Sequence, residues 1–259
     1  MIKRFFKAIG LIAIFGISLC SLYLANLFLM KPLSMDHYLG KNLIVGLFDS
    51  PEEMTYLGLF DSINWLTKHN SRLSISEVED LENWIKDSKK SLKMLNKYKD
   101  GSLTHNQKIT KSIAIFDTEN ELNKMENFPY HDFPLNQIGG IHLNTIEFMS
   151  DMHPVRNISE AEDFIKRTDL IKDVYAGVLN DLELQAEAGI FPPVFVFNHV
   201  IKQLNEFINY DVEEHPLYTQ FIKKVAELDI PDNETESLKA DIKISIKERV
   251  TPGFELLRD

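Results

Sequence analysis

The chain has 259 residues, of which 44% are hydrophobic and 26% charged, a balance that builds an ordinary folded core and excludes an intrinsically disordered protein. Its 28 lysines and arginines stand against 39 aspartates and glutamates, a net charge of −11. No basic stripe appears beyond short lysine-rich helix faces, so no nucleic-acid partner is expected. Cys20 is the single cysteine, which excludes an internal disulfide framework and any multi-cysteine metal site.

Lys3, Arg4 and Lys7 precede a run from Ala8 to Met30 that carries no charge. At about 1.5 Å rise per residue this run is long enough to cross a hydrocarbon core of about 30 Å. The bases before it outnumber the single Lys31 after it, which predicts an inside amino terminus. The body is then expected on the periplasmic or extracellular side of the cytoplasmic membrane, held by one span. Residues 1–30 are read as a membrane anchor or signal sequence and residues 31–259 as one helical domain. Cleavage near Ala25 or Asn26 and lipidation of Cys20 are the rival fates, although Leu19 stands where a lipoprotein site has a small residue.

Pro51-Glu52-Glu53 has the composition of a helix start, and the spacing Met54, Leu57, Phe60 or Asp61, Trp65 predicts a short helix with Trp65 in the core. Ser76 with Glu79, or Ser74 with Glu77, offers a capping box for the next helix, whose inner face is Val78, Leu81, Ile85, Ser88, Leu92 and Leu95. Asp100-Gly101 ends it. Thr104 and Gln107 cap a third helix, with Ile109, Ile113, Phe116 and Asn120 expected inwards, and the short turn makes the two antiparallel. From Asn127 to Asn157 a crossing rich in Pro, Gly and His follows, with Gly139-Gly140 at a bend. Ser159 with Glu162 predicts the cap of one long amphipathic helix stopped at Gly189. Pro192-Pro193 starts a helix with Val196, Val200, Leu204 and Ile208 inside. His215-Pro216 and Pro231 bound the next, and a last helix lined by Leu238, Ile242, Ile246 and Val250 ends at Thr251-Pro252-Gly253. The fold class is therefore all-α, an irregular multi-helix bundle with one long crossing loop, preceded by a transmembrane helix.

No complete catalytic constellation is present in the sequence. There is no HExxH, no GxSxG elbow and no glycine-rich phosphate cradle, and no two of the eight histidines lie four apart. His131, His142 and His153 share the crossing and could in principle converge on a metal, though fixing the loop is the simpler role for each. Asn136, Gln137 and His142 could line a polar cleft or satisfy loop backbone. His153 before Pro154 is read as loop-fixing, and Arg156 and Arg167 as holders of a substrate carboxylate or as salt-bridge residues.

The phrases FPLNQIGGIHLN, HPVRNISEAEDFIKR and EAGIFPPVFVFNHVIKQL, in that order, resemble the bacterial family catalogued as domain of unknown function 885. The resemblance extends from about Met35 to the end. It implies a helical, zinc-peptidase-like protein, often secreted or membrane-attached, whose HExxH helix belongs to a carboxy-terminal half. This chain is then expected to correspond to the amino-terminal half, as a truncated product, a split subunit or a diverged module. No zinc ligand or catalytic residue is carried onto it, no cofactor is expected in this chain, and zinc is expected only in a complete member. Gly139 stands where members often have an aspartate. The leading expectation is a non-catalytic scaffold that forms one side of a peptide cleft, inactive without a catalytic half. The alternative is a membrane-tethered helical module that binds another protein and has no hydrolase role.

Overall fold

The computed structural model describes residues 2–77 and 79–259. Among these residues every regular element is a helix and there is no strand, an all-α fold. Thirteen α-helices follow in order: α1 (Ile2–Leu29), α2 (Met35–Asp49), α3 (Pro51–Leu57), α4 (Asn64–Thr67), α5 (Asp80–Leu95), α6 (His105–Asn127), α7 (Ile141–Glu147), α8 (Ile158–Asp169), α9 (Ile171–Glu187), α10 (Val194–Ile208), α11 (Pro216–Val225), α12 (Asp232–Ser245) and α13 (Thr251–Arg258). They fall into two compact units: residues 1–46 with 84–124, and residues 47–83 with 125–259.

In the first unit, Ile9–Leu29 of α1 is long and apolar enough to cross a membrane. The turn that follows is fixed by Asn26, which donates to the Lys31 carbonyl and accepts from the Leu33 amide, both at 3.0 Å. Lys31 then donates to the Lys97 carbonyl, and Tyr98 donates to the Pro32 carbonyl. These bonds join the end of α1 to the α5–α6 turn. Met35, Tyr38, Leu95 and Tyr98 form the small core, with Leu103, Ala114 and Ile115 packed against it. Tyr98 reaches Pro32 before α2 while the Tyr38 hydroxyl reaches Ser91 inside α5, so α2 and α5 run antiparallel.

Two expectations for this unit change. The Thr104–Gln107 box forms in both directions, but α6 turns Ile109, Ile113 and Phe116 outwards, Phe116 being 63% exposed. Asn120 is exposed too, and the packed side runs through Ala114, Ile115, Thr118 and Leu122. Apolar residues lie all round this helix, so spacing alone selects either stripe. Val78, expected on the inner face of the preceding helix, lies outside the described residues. Neither capping box forms at that start, which belongs to the second unit, because Ser74 bonds Glu52 and Ser76 bonds Asp181. Asp80 accepts from the Glu77 amide instead.

The second unit holds the main core. Phe164 packs on Phe221 with ring centroids 4.9 Å apart, and Phe207 stacks on Phe254 at 4.6 Å. Near Trp65 the sequence reading fails, since Gly58 takes a left-handed conformation (φ 62°) and stops α3 at Leu57. The 3.6-residue spacing therefore ends there and Trp65 is 75% exposed. The long helix after the crossing begins at Asn157, not Ser159: the Asn157 side chain accepts from the Glu160 amide. It breaks at Leu170 into α8 and α9, and Gly189 (φ 72°) follows the end of α9. The crossing itself contains α7 and a π turn over Phe148–Met152. Thr251-Pro252-Gly253 does not end the last helix. A π turn at Ile246–Val250 leads into α13, with Pro252 in the first turn where its missing amide costs no bond. Gly253 lets α13 lie close to α9, since a Cβ there would stand 3.2 Å from the Lys172 Cα.

Candidate functional site

The residues singled out in the sequence fall into two hydrogen-bond networks of the second unit. The first centres on Arg167, which α8 carries on the same side as Phe164 and which is wholly enclosed. Its guanidinium donates to the Arg72 carbonyl at 2.7 Å, the His69 carbonyl at 2.6 Å and the Thr55 hydroxyl at 3.0 Å. It also donates to His153 Nδ1 at 3.0 Å and lies 5.0 Å from the centre of the Phe148 ring. Burial pulls its pKa down to about 10. Arg167 thus ties the segment from Pro51 to Arg72 onto α8 and holds no open face toward a substrate carboxylate.

Because arginine only donates, His153 Nδ1 must accept, and the proton sits on Nε2, which donates to the Glu160 carbonyl at 3.2 Å. Burial first, and the Arg167 charge second, push the His153 pKa down to about 3. This imidazole stays neutral and serves as a structural link. Arg156 lies at the rim, forked onto Glu160 and bonded to Asp61 at 2.7 Å. Asp61 in turn is 3.5 Å from His69 Nε2, whose Nδ1 is 2.7 Å from the Thr67 hydroxyl. A hydroxyl, an imidazole and a carboxylate stand in line here, but His69 is fully enclosed and its pKa is lowered by burial. Thr67 also donates to the carbonyl of Ile63, the residue before α4.

The second network closes the crossing. The Asn136 side chain accepts from the amides of Ile138 and Gly139 and donates to the Phe133 carbonyl, a local loop clasp. Gln203 of α10 donates to the Gln137 carbonyl and accepts from His142 Nε2 at 3.0 Å. Burial lowers the His142 pKa. His131 bonds the Pro129 carbonyl, so His131, His142 and His153 have different partners. Among the described residues, no group of three His, Cys, Asp or Glu is placed to hold a metal ion.

The open feature lies elsewhere. A cavity of about 330 Å³ is walled mainly by apolar residues of α9, α10 and the connection between them, including Leu182, Phe191, Phe197 and Ile201. A second, of about 380 Å³, is lined by Glu77, Asp80, Asp132 and Asp181 beside Leu81 and Tyr130. Phe133 and Gln185 line both. On α10, Val194 and Phe195 extend the apolar surface and are largely exposed. In the sequence, Gly189 and Pro192-Pro193 register only as breaks; the stretch FPPVFVF between two helices is the cue that apolar residues outnumber the core positions.

The family model described as "Bacterial protein of unknown function (DUF885)" matches residues 51–259. No curated protein matches the chain. A crystal structure, that of "the putative lipoprotein from Colwellia psychrerythraea", is similar in fold, with a TM-score of 0.66 at 19% identity over 84% of this chain. The match covers 40% of that protein, so the chain spans well under half its length.

Proposed function

We propose, from the premise that this chain belongs to the DUF885 family of bacterial proteins, that it is a membrane-tethered helical module which binds another polypeptide on the α10 face. The apolar span Ile9–Leu29 is the tether, with the body on the periplasmic or extracellular side. One observation carries the reading: Phe191, Val194, Phe195 and Phe197 are exposed together beside an apolar cavity, whereas the buried polar groups nearby are engaged in holding loops. Asn136, Gln137, His142, His153 and Arg156 are assigned that loop-fixing role. An apolar surface of this kind on a folded body marks a contact site.

A photo-crosslinking residue placed at Phe195 in the membrane-bound chain is expected to yield a discrete protein adduct, and one at Lys202, which is also exposed on α10, is expected to yield none. Equal labelling at both positions, or none at Phe195, contradicts the reading.

A second reading is that this body forms one side of a peptide cleft completed by a metal-bearing carboxy-terminal half. What favours it is length, since the structurally similar protein extends well beyond the matched portion. No zinc ligand is assigned to this chain. Adding the carboxy-terminal half of a longer family member should then produce an adduct at Phe195 with that half and a peptidase activity absent from either piece. Lack of association counts against it.

A further inference from the structure

We propose that the lysines around the α5–α6 turn form a binding surface for anionic phospholipid headgroups, at the edge of the bilayer that α1 enters. The proposal rests on the reading of α1 as a membrane span and is independent of the contact assigned to α10.

The fold of the first unit sets the depth of this surface. Asn26 lies inside the apolar span Ile9–Leu29 and its side chain accepts the Leu33 amide, so the chain folds back after Leu29 and brings Leu33 to the level of the last turn of the span. Leu33 is 76% exposed, as suits a side chain that faces the boundary between acyl chains and headgroups. Lys31 and Pro32 belong to the same turn. The Lys31 ammonium donates to the Lys97 carbonyl and the Tyr98 hydroxyl to the Pro32 carbonyl, both at 3.0 Å. The end of α5 is therefore held where the span ends, which is the depth at which headgroups lie.

Positive charge gathers at the same place. Lys93, Lys97 and Lys99 are exposed there. Lys31 sits 4.4 Å from the centre of the Tyr98 ring and Lys41 5.3 Å from that of Tyr38, and the two ring centres are 6.4 Å apart. Lys90 is paired with Asp87 and Lys111 with Asp100. Among the described residues, however, none of Lys31, Lys41, Lys93, Lys97 and Lys99 has a carboxylate partner. The wider charge distribution has the same sense. Residues 31–46 and 84–124 hold 11 lysines against 6 acids, whereas residues 47–83 and 125–259 hold 14 basic residues against 33 acidic ones. An anionic surface thus attracts the unit that carries the span and repels the other. A phosphodiester supplies the negative charge these ammonium groups lack and accepts several of their hydrogens, and basic groups held within a Debye length of an anionic leaflet are drawn to it. A zwitterionic leaflet offers no net charge to match them.

The test uses the full chain in nanodiscs of phosphatidylcholine, with or without phosphatidylglycerol. Lysines are briefly dimethylated with formaldehyde and cyanoborohydride, neither lipid having an amine that competes, and each site is quantified by peptide mass spectrometry. Lys93, Lys97 and Lys99 are expected to react about fivefold more slowly in the anionic discs, with Lys31 and Lys41 slowed in the same sense, and added salt should restore them. Lys202 and Lys247, exposed in the acidic unit, should react alike in both discs. With Lys93→Gln, Lys97→Gln and Lys99→Gln combined, three side chains that hold no bond of the fold, Lys31 and Lys41 should regain most of the lost reactivity. Equal rates in the two discs overturn the proposal. Equal shielding in both discs relative to detergent overturns it too, because contact would then be indifferent to headgroup charge, and so does slowing of Lys202 and Lys247 to the same extent. A chain that alkaline carbonate washes out of the discs overturns the span and this surface together, and the adduct at Phe195 then tests the α10 contact by itself.

Discussion

Nη1 of Arg167 donates to Nδ1 of His153 across 3.0 Å, inside a body where neither side chain meets solvent. The same guanidinium satisfies the carbonyls of His69 and Arg72 and the hydroxyl of Thr55. An arginine without a carboxylate partner is expensive to bury, yet removing it strands several acceptors at once. Arg167→Met is therefore expected to cost about 3–5 kcal/mol, and Arg167→Lys to recover only part of that, since an ammonium lacks the planar fork that spans these acceptors. Denaturation of the full chain in detergent checks it. A loss within about 0.5 kcal/mol for the methionine variant, the size of an ordinary surface change, would show that the network is incidental.

The neutral state of the buried histidines gives a signed pH dependence. His153 titrates at about 3, chiefly through burial and then the nearby Arg167 charge, and His215 at about 4 through burial. An unfolded histidine titrates near 6.5. Between about pH 6.5 and about pH 4 the unfolded chain binds protons that the folded chain does not, so stability falls as pH drops through that window. Each histidine contributes about 1.4 kcal/mol per pH unit well inside it and no slope above it. Denaturation midpoints should thus decline from pH 7 to pH 5. His153→Gln, which can still accept from Arg167, should reduce the slope at pH 5 by about one proton. A midpoint that does not move over this range would contradict the burial of neutral imidazoles.

These two clusters show where sequence reading succeeds and where it stops. Helices with one apolar side, such as α10 with Val196, Val200 and Leu204 inward, are legible because a single stripe carries all the burial. The Asn157–Glu160 cap was hidden by a second box two residues later with the same spacing, and the Arg156 amide bonding to Glu160 helps select the earlier one. Arg167 carried a cue that its charge masked: it lies three residues after Phe164 and four before Ile171, both fully buried. A charged residue on an apolar stripe reads as a surface ion pair until its partners are known, and those partners include backbone atoms about 95 positions away in sequence. The second cavity was illegible for a related reason. Glu77 and Asp181 line it together only because the segment around Ser76 crosses α9.

That crossing depends on Gly177. A Cβ at this position would lie 2.7 Å from the Ser76 carbonyl oxygen and 3.2 Å from its amide nitrogen, closer than backbone atoms tolerate. Alanine normally stabilises a helix interior relative to glycine by about 1 kcal/mol. Here the overlap should outweigh that gain, giving a net loss of about 1–3 kcal/mol and faster amide exchange over residues 73–77. Gly46→Ala is the contrasting case, because nothing lies within 4 Å of a Cβ there; it should stabilise α2 by up to about 1 kcal/mol. If the two variants shifted stability in the same direction, the close approach of Ser76 would not be the cause.

The phase of α6 yields the sharpest comparison, since two apolar stripes compete on one helix. Ile115 packs against the core made by Met35, Tyr38, Leu95 and Tyr98, while Ile113, two residues earlier, is more than half exposed. Removing a packed isoleucine side chain leaves a cavity, so Ile115→Ala should cost about 2 kcal/mol. Ile113→Ser and Phe116→Ser remove exposed groups and should each change stability by no more than about 0.5 kcal/mol. Reversal of this order, with Ile113 costly and Ile115 neutral, would mean that the helix is rotated by about half a turn, because residues two apart lie on opposite sides of a 3.6-residue helix. Lys111 supplies an independent reading of the same rotation: it lies four residues before Ile115 and donates to the Tyr98 carbonyl and to Asp100. Lys111→Met should therefore weaken the α5–α6 turn in the same sense as Ile115→Ala, whereas Lys108→Met, on an exposed position, should not.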